Sequence, residues 1–175
     1  AFRTIEEINL TIREETPEEI EAINAVTISA FLEAPHTSHT EHLIVKALRD
    51  AGALSISLVA EINGKVVGHI AVSPVTIADG ALDWFSLGPI SVIPEFQKCG
   101  IGSKLMIEAL NVLQQTEAAG CVLLGDPAYY NRFGFKPEPN LVLPGVPPEY
   151  FQAVCFKTPL PRGTVSYHEA FDAKG

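Results

Sequence analysis

The chain has 175 residues, of which 47% are hydrophobic and 19% are charged. This size and balance predict one folded domain over residues 1–175 and argue against general disorder. The formal net charge of -9 repels polyanions, so we expect no nucleic-acid partner and favour a cationic small molecule or peptide amine.

The chain begins with signals for a strand and then a helix. Alternating polar and apolar residues predict a strand over 9–13. The tetrapeptide "TPEE" predicts a helix start, with Thr16 as the cap, Pro17 at the first helical position and Glu19 completing a capping box. The predicted apolar face of this helix contains Ile20, Ile23, Thr27 and Phe31.

A second helix and three strands follow. The helix is predicted over 41–51, and strands are predicted over 53–62 and 65–77. Asn63-Gly64 joins these two strands and is the strongest short signal for a hairpin. A further strand over 82–92 comes after another turn signal, so the three strands are expected to form an antiparallel meander.

The segment "FQKCGIGSKLM" places Gly100 and Gly102 between a strand and an amphipathic helix. The helix is predicted to run for roughly fifteen residues and to close near Gly120. "CVLLG" is then typical of a short buried strand. Because a strand, a helix and a second buried strand form a crossover unit, residues 87–92 and 121–124 are expected to run parallel.

The last third of the chain has fewer signals for regular structure. Asp126-Pro127 predicts a short helix that ends at Gly134. The proline-rich segment 136–149 predicts a loop, and strands are predicted over 150–157 and 164–171. The expected fold is therefore α/β, with a mixed central sheet of about six to seven strands and flanking helices.

The cysteines and the hydropathy pattern bear on location. Cys99, Cys121 and Cys155 show no paired spacing, so neither a disulfide framework nor a zinc site is predicted. No apolar run approaches the about 18 residues of a membrane span. The first ten residues also lack the basic start and apolar stretch of a signal peptide. We expect a soluble cytoplasmic protein with no membrane partner.

A glycine loop between a strand and a helix is a common way to bind phosphate, because unpaired N–H groups of the first helical turn point outward. This loop lacks the Lys-Ser/Thr of a Walker A motif and one glycine of the dinucleotide-binding fingerprint. Two glycines are equally compatible with a tight turn that requires positive φ. The loop alone leaves both interpretations open.

The neighbouring segments carry a resemblance. "LGPISVIPEFQKCGIGSKLM", followed by "AYYNRFGF", resembles the YhbS-type branch of the GCN5-related N-acetyltransferase (GNAT) superfamily. The most specific parts are the Gln-x-x-Gly-x-Gly loop, the Val-x-Pro-Glu lead-in and a tyrosine four residues before Gly-Phe. "EHLIVKALR", "VVGHIAVSPV" and "VSYHEAF" are also similar to that branch, so the resemblance covers nearly the whole chain.

The resemblance implies an enzyme that transfers an acetyl group from acetyl-CoA directly to a primary amine, without a metal. Acetyl-CoA is expected in a V-shaped opening between the parallel strands that end at Val92 and Leu124. The main chain of the first strand pairs with the pantetheine arm, and the glycine loop wraps the pyrophosphate. The implied cofactor-binding residues are Ile90, Ser91, Val92, Gln97, Lys98, Cys99, Gly100, Ile101, Gly102 and Ser103.

The resemblance also implies a general acid. Tyr130 stands where the family carries the residue that protonates the leaving thiolate, and Tyr129 is its competitor, because roughly 100 degrees separates neighbours on a helix. Many members place a Glu on the fourth strand to deprotonate the amine, but "SLGPIS" contains no carboxylate. A water chain, Ser86 or His69 are the remaining candidates for the base.

Several alternatives accompany this interpretation. His36, His39 and His42 repeat every three residues, which fits a metal site, a solvated loop or part of the acceptor wall; no metal is expected. The acceptor is a small molecule or a peptide amine, and its wall is expected at 31–42 and 141–150. The missing carboxylate also fits a non-catalytic acyl-CoA-binding sensor, and paired exposed strands allow a homodimer.

Overall fold

The computed structural model describes residues 9–35 and 37–174, and it has the predicted α/β architecture of a mixed sheet flanked by helices. The strands are β1 (Leu10–Glu14), β2 (Ile56–Ile62), β3 (Lys65–Ile77), β4 (Trp84–Val92), β5 (Gly120–Leu124), β6 (Lys136–Pro137), β7 (Leu141–Val142), β8 (Phe151–Cys155) and β9 (Gly163–Tyr167). The helices are α1 (Ile20–Phe31), α2 (Glu41–Asp50), α3 (Ile101–Gln115) and α4 (Pro127–Tyr130). No helix in these ranges is long and apolar enough to cross a membrane.

The sheet follows the order β1-β2-β3-β4-β5-β8-β6, and its neighbours are antiparallel except for the parallel pair β4 and β5. β9 pairs with the C-terminal end of β3, and β7 runs parallel to β9. The described residues thus contain nine strands, where about six to seven were expected. The additional strands are β6 and β7, which have two residues each and lie in the proline-rich segment predicted as a loop.

The predicted hairpin between β2 and β3 is confirmed. Asn63 and Gly64 have φ angles of 51° and 82°. Positive φ at both central residues gives the turn the twist that its flanking strands require. Ile62 and Lys65 pair across this turn, and β3 in turn pairs with β4, which completes the predicted meander.

Glu19 fixes the start of the first helix. The chain enters α1 through a 3-10 turn over Pro17–Glu19, and the Glu19 carboxylate accepts a hydrogen bond from the Thr16 N–H at 2.8 Å. The same carboxylate contacts the Arg13 guanidinium of β1 at 2.6 Å. Hydrogen bonding to Arg13 lowers the pKa of Glu19 to about 2, so the carboxylate stays ionised and ties α1 to the sheet.

Two details of the helices add to the predictions. Ile20, on the predicted apolar face of α1, is 41% exposed, because it lies in the first turn and lines an open groove beside Arg49. α3 has the predicted length of fifteen residues, but it ends at Gln115, several residues before Gly120, and Glu117 takes the positive φ (65°) that follows the helix. Gly120 instead begins β5, where a Cβ atom would overlap the Trp84 indole.

Helices cover both faces of the sheet. Leu105 of α3 lies directly over Gly68 of β3, where a Cβ atom would come within 3.2 Å of its methyl group. The next residue, His69, therefore points to the opposite face. There it meets Ser57, which joins it through Glu15 to Arg49 of α2. Because successive side chains of β3 point to opposite faces, α3 and α2 lie on opposite faces of the sheet.

His69 is completely buried at one end of this series of hydrogen-bonded side chains. Its Nε2 lies 2.8 Å from Ser57 Oγ, and Ser57 Oγ donates its own proton to Glu15 Oε1. Nε2 must therefore be the donor to Ser57, which leaves Nδ1 as a buried nitrogen without a partner. Burial lowers the pKa of His69 to about 4, so the ring is neutral at pH 7.

The buried neutral histidine predicts acid sensitivity. The unfolded chain binds a proton at His69 near pH 6.5 while the folded chain does so only near pH 4, so stability is lost as pH falls through that window. The loss is on the order of 3 kcal/mol. Urea unfolding between pH 7 and pH 4 should show a smaller loss for His69→Gln than for the unaltered protein. The exposed control His39→Gln should retain the full loss, and equal pH dependence in all three proteins would contradict this assignment.

Candidate active site

The parallel strands β4 and β5 separate after a short paired stretch. Trp84, Phe85 and Ser86 pair with 120–122, but no further pair joins the two strands. The predicted parallel direction is confirmed, whereas the pairing lies before 87–92 rather than along it. In β4 the two residues Gly88-Pro89 stand opposite one residue of β3. A bulge bends the strand that contains it, and this one lies directly after the last pair with β5.

The separated strands form one wall each of a cleft of about 550 Å³. β4 contributes Leu87 and Ile90, and β5 contributes Leu123 and Leu124. The remaining wall includes Phe31 and Glu41 of the first segment predicted to line an acceptor and Leu143 and Pro144 of the second, together with four residues outside both segments. Its members are Phe31, Glu41, Ile44, Tyr130, Leu143, Pro144, Tyr167 and Phe171.

The main chain of β4 presents unused polar groups to this cleft. Ile93 N–H donates to Val67 O of β3 at 2.9 Å, so its main chain points away from the cleft. Along a strand this direction alternates, and the main chain of Ser91 therefore faces β3 while those of Ile90 and Val92 face the opening. Of the three strand residues predicted to bind the cofactor, Ile90 and Val92 have the required orientation; the Ser91 hydroxyl is buried without a partner.

The glycine loop follows directly from this strand. Gln97 reaches back and donates from Nε2 to Val92 O at 2.9 Å, which fixes the loop to the end of β4. Lys98 and Gly100 take positive φ angles of 65° and 88°, and α3 then begins at Ile101 without a side-chain cap. Within the described part of the chain, the N–H groups of Gly100, Gly102 and Ser103 make no hydrogen bond.

Gly102 has no evident structural reason to be a glycine. Its φ is not in the left-handed region, and a Cβ atom there would meet nothing within 4 Å. A glycine inside a helix costs about 0.5–1 kcal/mol relative to alanine. The open space above Gly102 and its free N–H therefore indicate a position kept clear for something outside the protein.

Positive charge surrounds the loop in an otherwise acidic protein. Lys98 and Lys104 are exposed in the loop and the first turn of α3. The Arg132 guanidinium lies 4.5 Å from the centre of the Tyr129 ring, and the Tyr129 hydroxyl is 2.9 Å from Ser103 Oγ. Arg132 is thereby held beside the same helical turn. The loop can accommodate an anion.

Neighbouring tyrosines of α4 serve different parts of the site. Tyr129 turns toward Ser103 and the glycine loop, whereas Tyr130 lines the cleft, and their rings meet edge to face with centroids 4.8 Å apart. The Asp126 cap is confirmed, since its side chain accepts the Ala128 N–H at 2.9 Å. Gly134 ends the segment in the left-handed region, as predicted.

Gly125 positions the Tyr130 ring. A Cβ atom at Gly125 would overlap that ring, so the absence of a side chain lets the tyrosine lie against the end of β5. Burial raises the pKa of Tyr130, and the neighbouring Tyr129 adds to the effect. The phenol therefore stays protonated at neutral pH and can donate a proton.

The candidate bases do not reach the cleft. The buried Ser86 Oγ lies 3.1 Å from Ser73 Oγ, and His69 is occupied by Ser57 on β2. The cleft instead contains Glu41, which was covered by the predicted acceptor wall but was not singled out as the carboxylate of the site, because it stands on α2 rather than on β4. Glu41 does lie within the segment 31–42 that was predicted as acceptor wall, at the start of the helix "EHLIVKALR".

The remaining polar candidates have simpler surroundings. Cys99 is partly exposed, and its thiol is directed at Gln97 O at 3.7 Å. His36 lies outside the described residues, so the predicted histidine repeat is described only at His39 and His42. Among residues 9–35 and 37–174, no three His, Cys, Asp or Glu side chains are grouped as metal ligands.

Comparisons with known proteins agree on one family. The acetyltransferase (GNAT) domain model matches residues 53–137. The uncharacterized N-acetyltransferase YhbS of Escherichia coli K12 is 37% identical over 128 residues, which is 73% of this chain and 74% of that protein.

Solved structures give the same result. A GNAT family acetyltransferase from Brucella melitensis in complex with acetyl-CoA superposes with a TM-score of 0.84 and 46% identity, covering 94% of this chain and 99% of that one. The Escherichia coli YhbS structure in complex with CoA superposes with a TM-score of 0.86 and 32% identity, covering 99% of this chain and 98% of that one.

The two glycines of the site predict opposite effects on stability. Gly125→Ala forces the Tyr130 ring to move and should lower the free energy of unfolding by about 1–3 kcal/mol. Gly102→Ala enters open space in a helix and should raise it by about 0.5–1 kcal/mol. Urea unfolding of both variants tests this contrast. In a Tyr130→Ala background the cost of Gly125→Ala should shrink; an undiminished cost would show that the ring is not what the methyl group meets.

Proposed function

Because the chain belongs to the GNAT acetyltransferase family, we propose that it transfers an acetyl group from acetyl-CoA directly to a primary amine. The observation that carries this proposal is the set of free main-chain N–H groups at Ile90, Val92, Gly100, Gly102 and Ser103, along one strand edge and the helix start that follows it. An unpaired strand edge leads into a helix start with free N–H groups. This arrangement suits an amide-bearing arm that ends in phosphates.

Each part of acetyl-CoA has a matching surface. The pantetheine amides pair with the main chain of Ile90 and Val92 as a substitute strand, and an N–H there polarises the thioester carbonyl. The loop from Gln97 to Ser103 wraps the pyrophosphate. Lys98, Lys104 and Arg132 supply the positive charge for the remaining phosphate, against the net charge of -9.

Transfer needs one proton for the leaving group. The amine nitrogen attacks the thioester carbon, the C–S bond breaks, and Tyr130 gives its phenolic proton to the departing thiolate. The proton lost by the amine passes to water, and the phenol is reprotonated from solvent. Tyr130 suits this role because it lines the cleft and because its raised pKa keeps the proton in place.

The wider properties of the protein follow from the same proposal. Residues 1–175 form one acetyltransferase domain, which the continuous sheet from β1 to β6 supports. The acceptor is a small molecule or a peptide amine that enters beside Phe31 and Leu143. The three free cysteines support a reducing compartment, the cytoplasm. A homodimer remains part of the proposal and is tested by light scattering.

A larger side chain at position 102 should weaken the binding of the cofactor without unfolding the protein. A valine side chain at 102 occupies the open space over the loop, so Gly102→Val should weaken the binding of acetyl-CoA and CoA by at least about tenfold in isothermal titration. Gln114→Val, an exposed site near the other end of α3, introduces the same side chain and should leave both affinities unchanged. Unaltered binding by folded Gly102→Val would remove the loop from the cofactor site.

Tyr130→Phe tests the chemistry. Loss of a positioned general acid should lower kcat by about 100- to 10,000-fold and leave CoA affinity nearly intact. Tyr129→Phe should lower kcat far less, because its hydroxyl is engaged by Ser103 outside the cleft. The rate of thiol release with several amines measures kcat for both variants. Equal rates for Tyr130→Phe and the unaltered protein would exclude Tyr130 as the acid, and tight CoA binding without any turnover would indicate an acyl-CoA sensor.

A further inference from the structure

We infer that the Glu41 carboxylate pairs with a cationic group of the acceptor other than the amine that is acetylated, so that the preferred acceptors are diamines or larger polycations. This inference rests on the proposed function. It concerns the acceptor side of the cleft, whose walls come from α1, α2 and the loop after β7.

Glu41 is the one charged side chain among the described residues that line the cleft. The other lining side chains are apolar or, at Tyr130 and Tyr167, phenolic. No lysine, arginine or histidine is available there to neutralise the carboxylate. A single anionic group in a mostly apolar wall favours a ligand that has a long apolar body and a positive end.

The carboxylate is held on one side only. Glu41 Oε2 accepts hydrogen bonds from Thr37 Oγ1 at 2.7 Å and from the Ser38 N–H and Oγ at 3.3 Å each. Oε1 is buried and has no partner. A buried oxygen without a donor costs free energy, and the last side-chain torsion of a glutamate turns easily, so a ligand cation in the cleft can satisfy it.

Glu41 is also suited to remain an anion. Its burial opposes ionisation, but the hydrogen bonds from Thr37 and Ser38 outweigh that effect, and the pKa of Glu41 is lowered. A carboxylate with a low pKa is a weak base and a good partner for a cation. The loop before α2 thus builds an anchor rather than a proton acceptor.

The protonation state of each amine determines which of them can pair with Glu41. An amine attacks a thioester only with its lone pair free, whereas an amine paired with a carboxylate is kept protonated. The group at Glu41 is therefore a second, non-reacting cation. The acidic surface, with a net charge of -9, attracts such polycations at longer range.

The test compares α,ω-diamines of three to six carbons with amino alcohols of equal length, which lack only the second positive charge. Isothermal titration into the CoA-saturated protein should give about 10- to 100-fold tighter binding for the best diamine than for its matched amino alcohol. Glu41→Gln should abolish this preference. Glu21→Gln, an exposed first-turn glutamate of α1 outside the cleft, should retain it.

The kinetic readout separates anchoring from base catalysis. Glu41→Gln should raise KM for the diamine and leave kcat within a few-fold, whereas a lost general base would lower kcat for every amine. Equal affinity of diamine and amino alcohol for the unaltered protein, no binding of either, or a preference retained by Glu41→Gln would each overturn the inference. Failure of the proposed function would appear separately, as absent CoA binding or as absent turnover with every amine.

Discussion

Main-chain pairing between β4 and β5 ends at Ser86 and Val122, and the strands diverge beyond that point. The bulge at Gly88-Pro89 bends β4 while β3 continues to hold its other edge. Unpaired N–H and C=O groups are therefore exposed in a rigid strand, where a folded chain would normally satisfy them. The cleft, the orientation of Ile90 and Val92, and the entry into the glycine loop all depend on this divergence.

The site divides its charges between two ends. The loop end has free N–H groups at the start of α3 and is bordered by Lys98, Lys104 and Arg132, all of which suit an anion. The opposite end contains Glu41, whose carboxylate is ionised and only half satisfied. Tyr130 lines the same cleft, where the proposed reaction needs a proton for the leaving thiolate. Under the proposed function, this arrangement would orient an anionic donor and a cationic acceptor in opposite directions.

Local signals in the sequence were sufficient for most of the fold. The Asn63-Gly64 turn, the Asp126 cap and the Gln97–Ser103 loop each depend on short-range chemistry, and each lies where it was predicted. Tyr130 was favoured over Tyr129 on the family resemblance alone; its position at the cleft and its contact with Gly125 join residues on different elements and needed the structure. Glu41 lay inside the predicted acceptor wall but was not singled out, because its place in the cleft depends on residues from distant parts of the chain that no periodicity in the sequence reveals.

The central claim is that acetyl-CoA uses the free main-chain groups of β4 and the following loop. Amide hydrogen exchange, followed residue by residue by NMR with and without acetyl-CoA, tests it most directly. The account predicts that exchange slows at Ile90, Val92, Gly102 and Ser103 when the ligand is present, while Ser91, already facing β3, changes little. Tight binding that leaves the exchange of these four amides unaltered would contradict it.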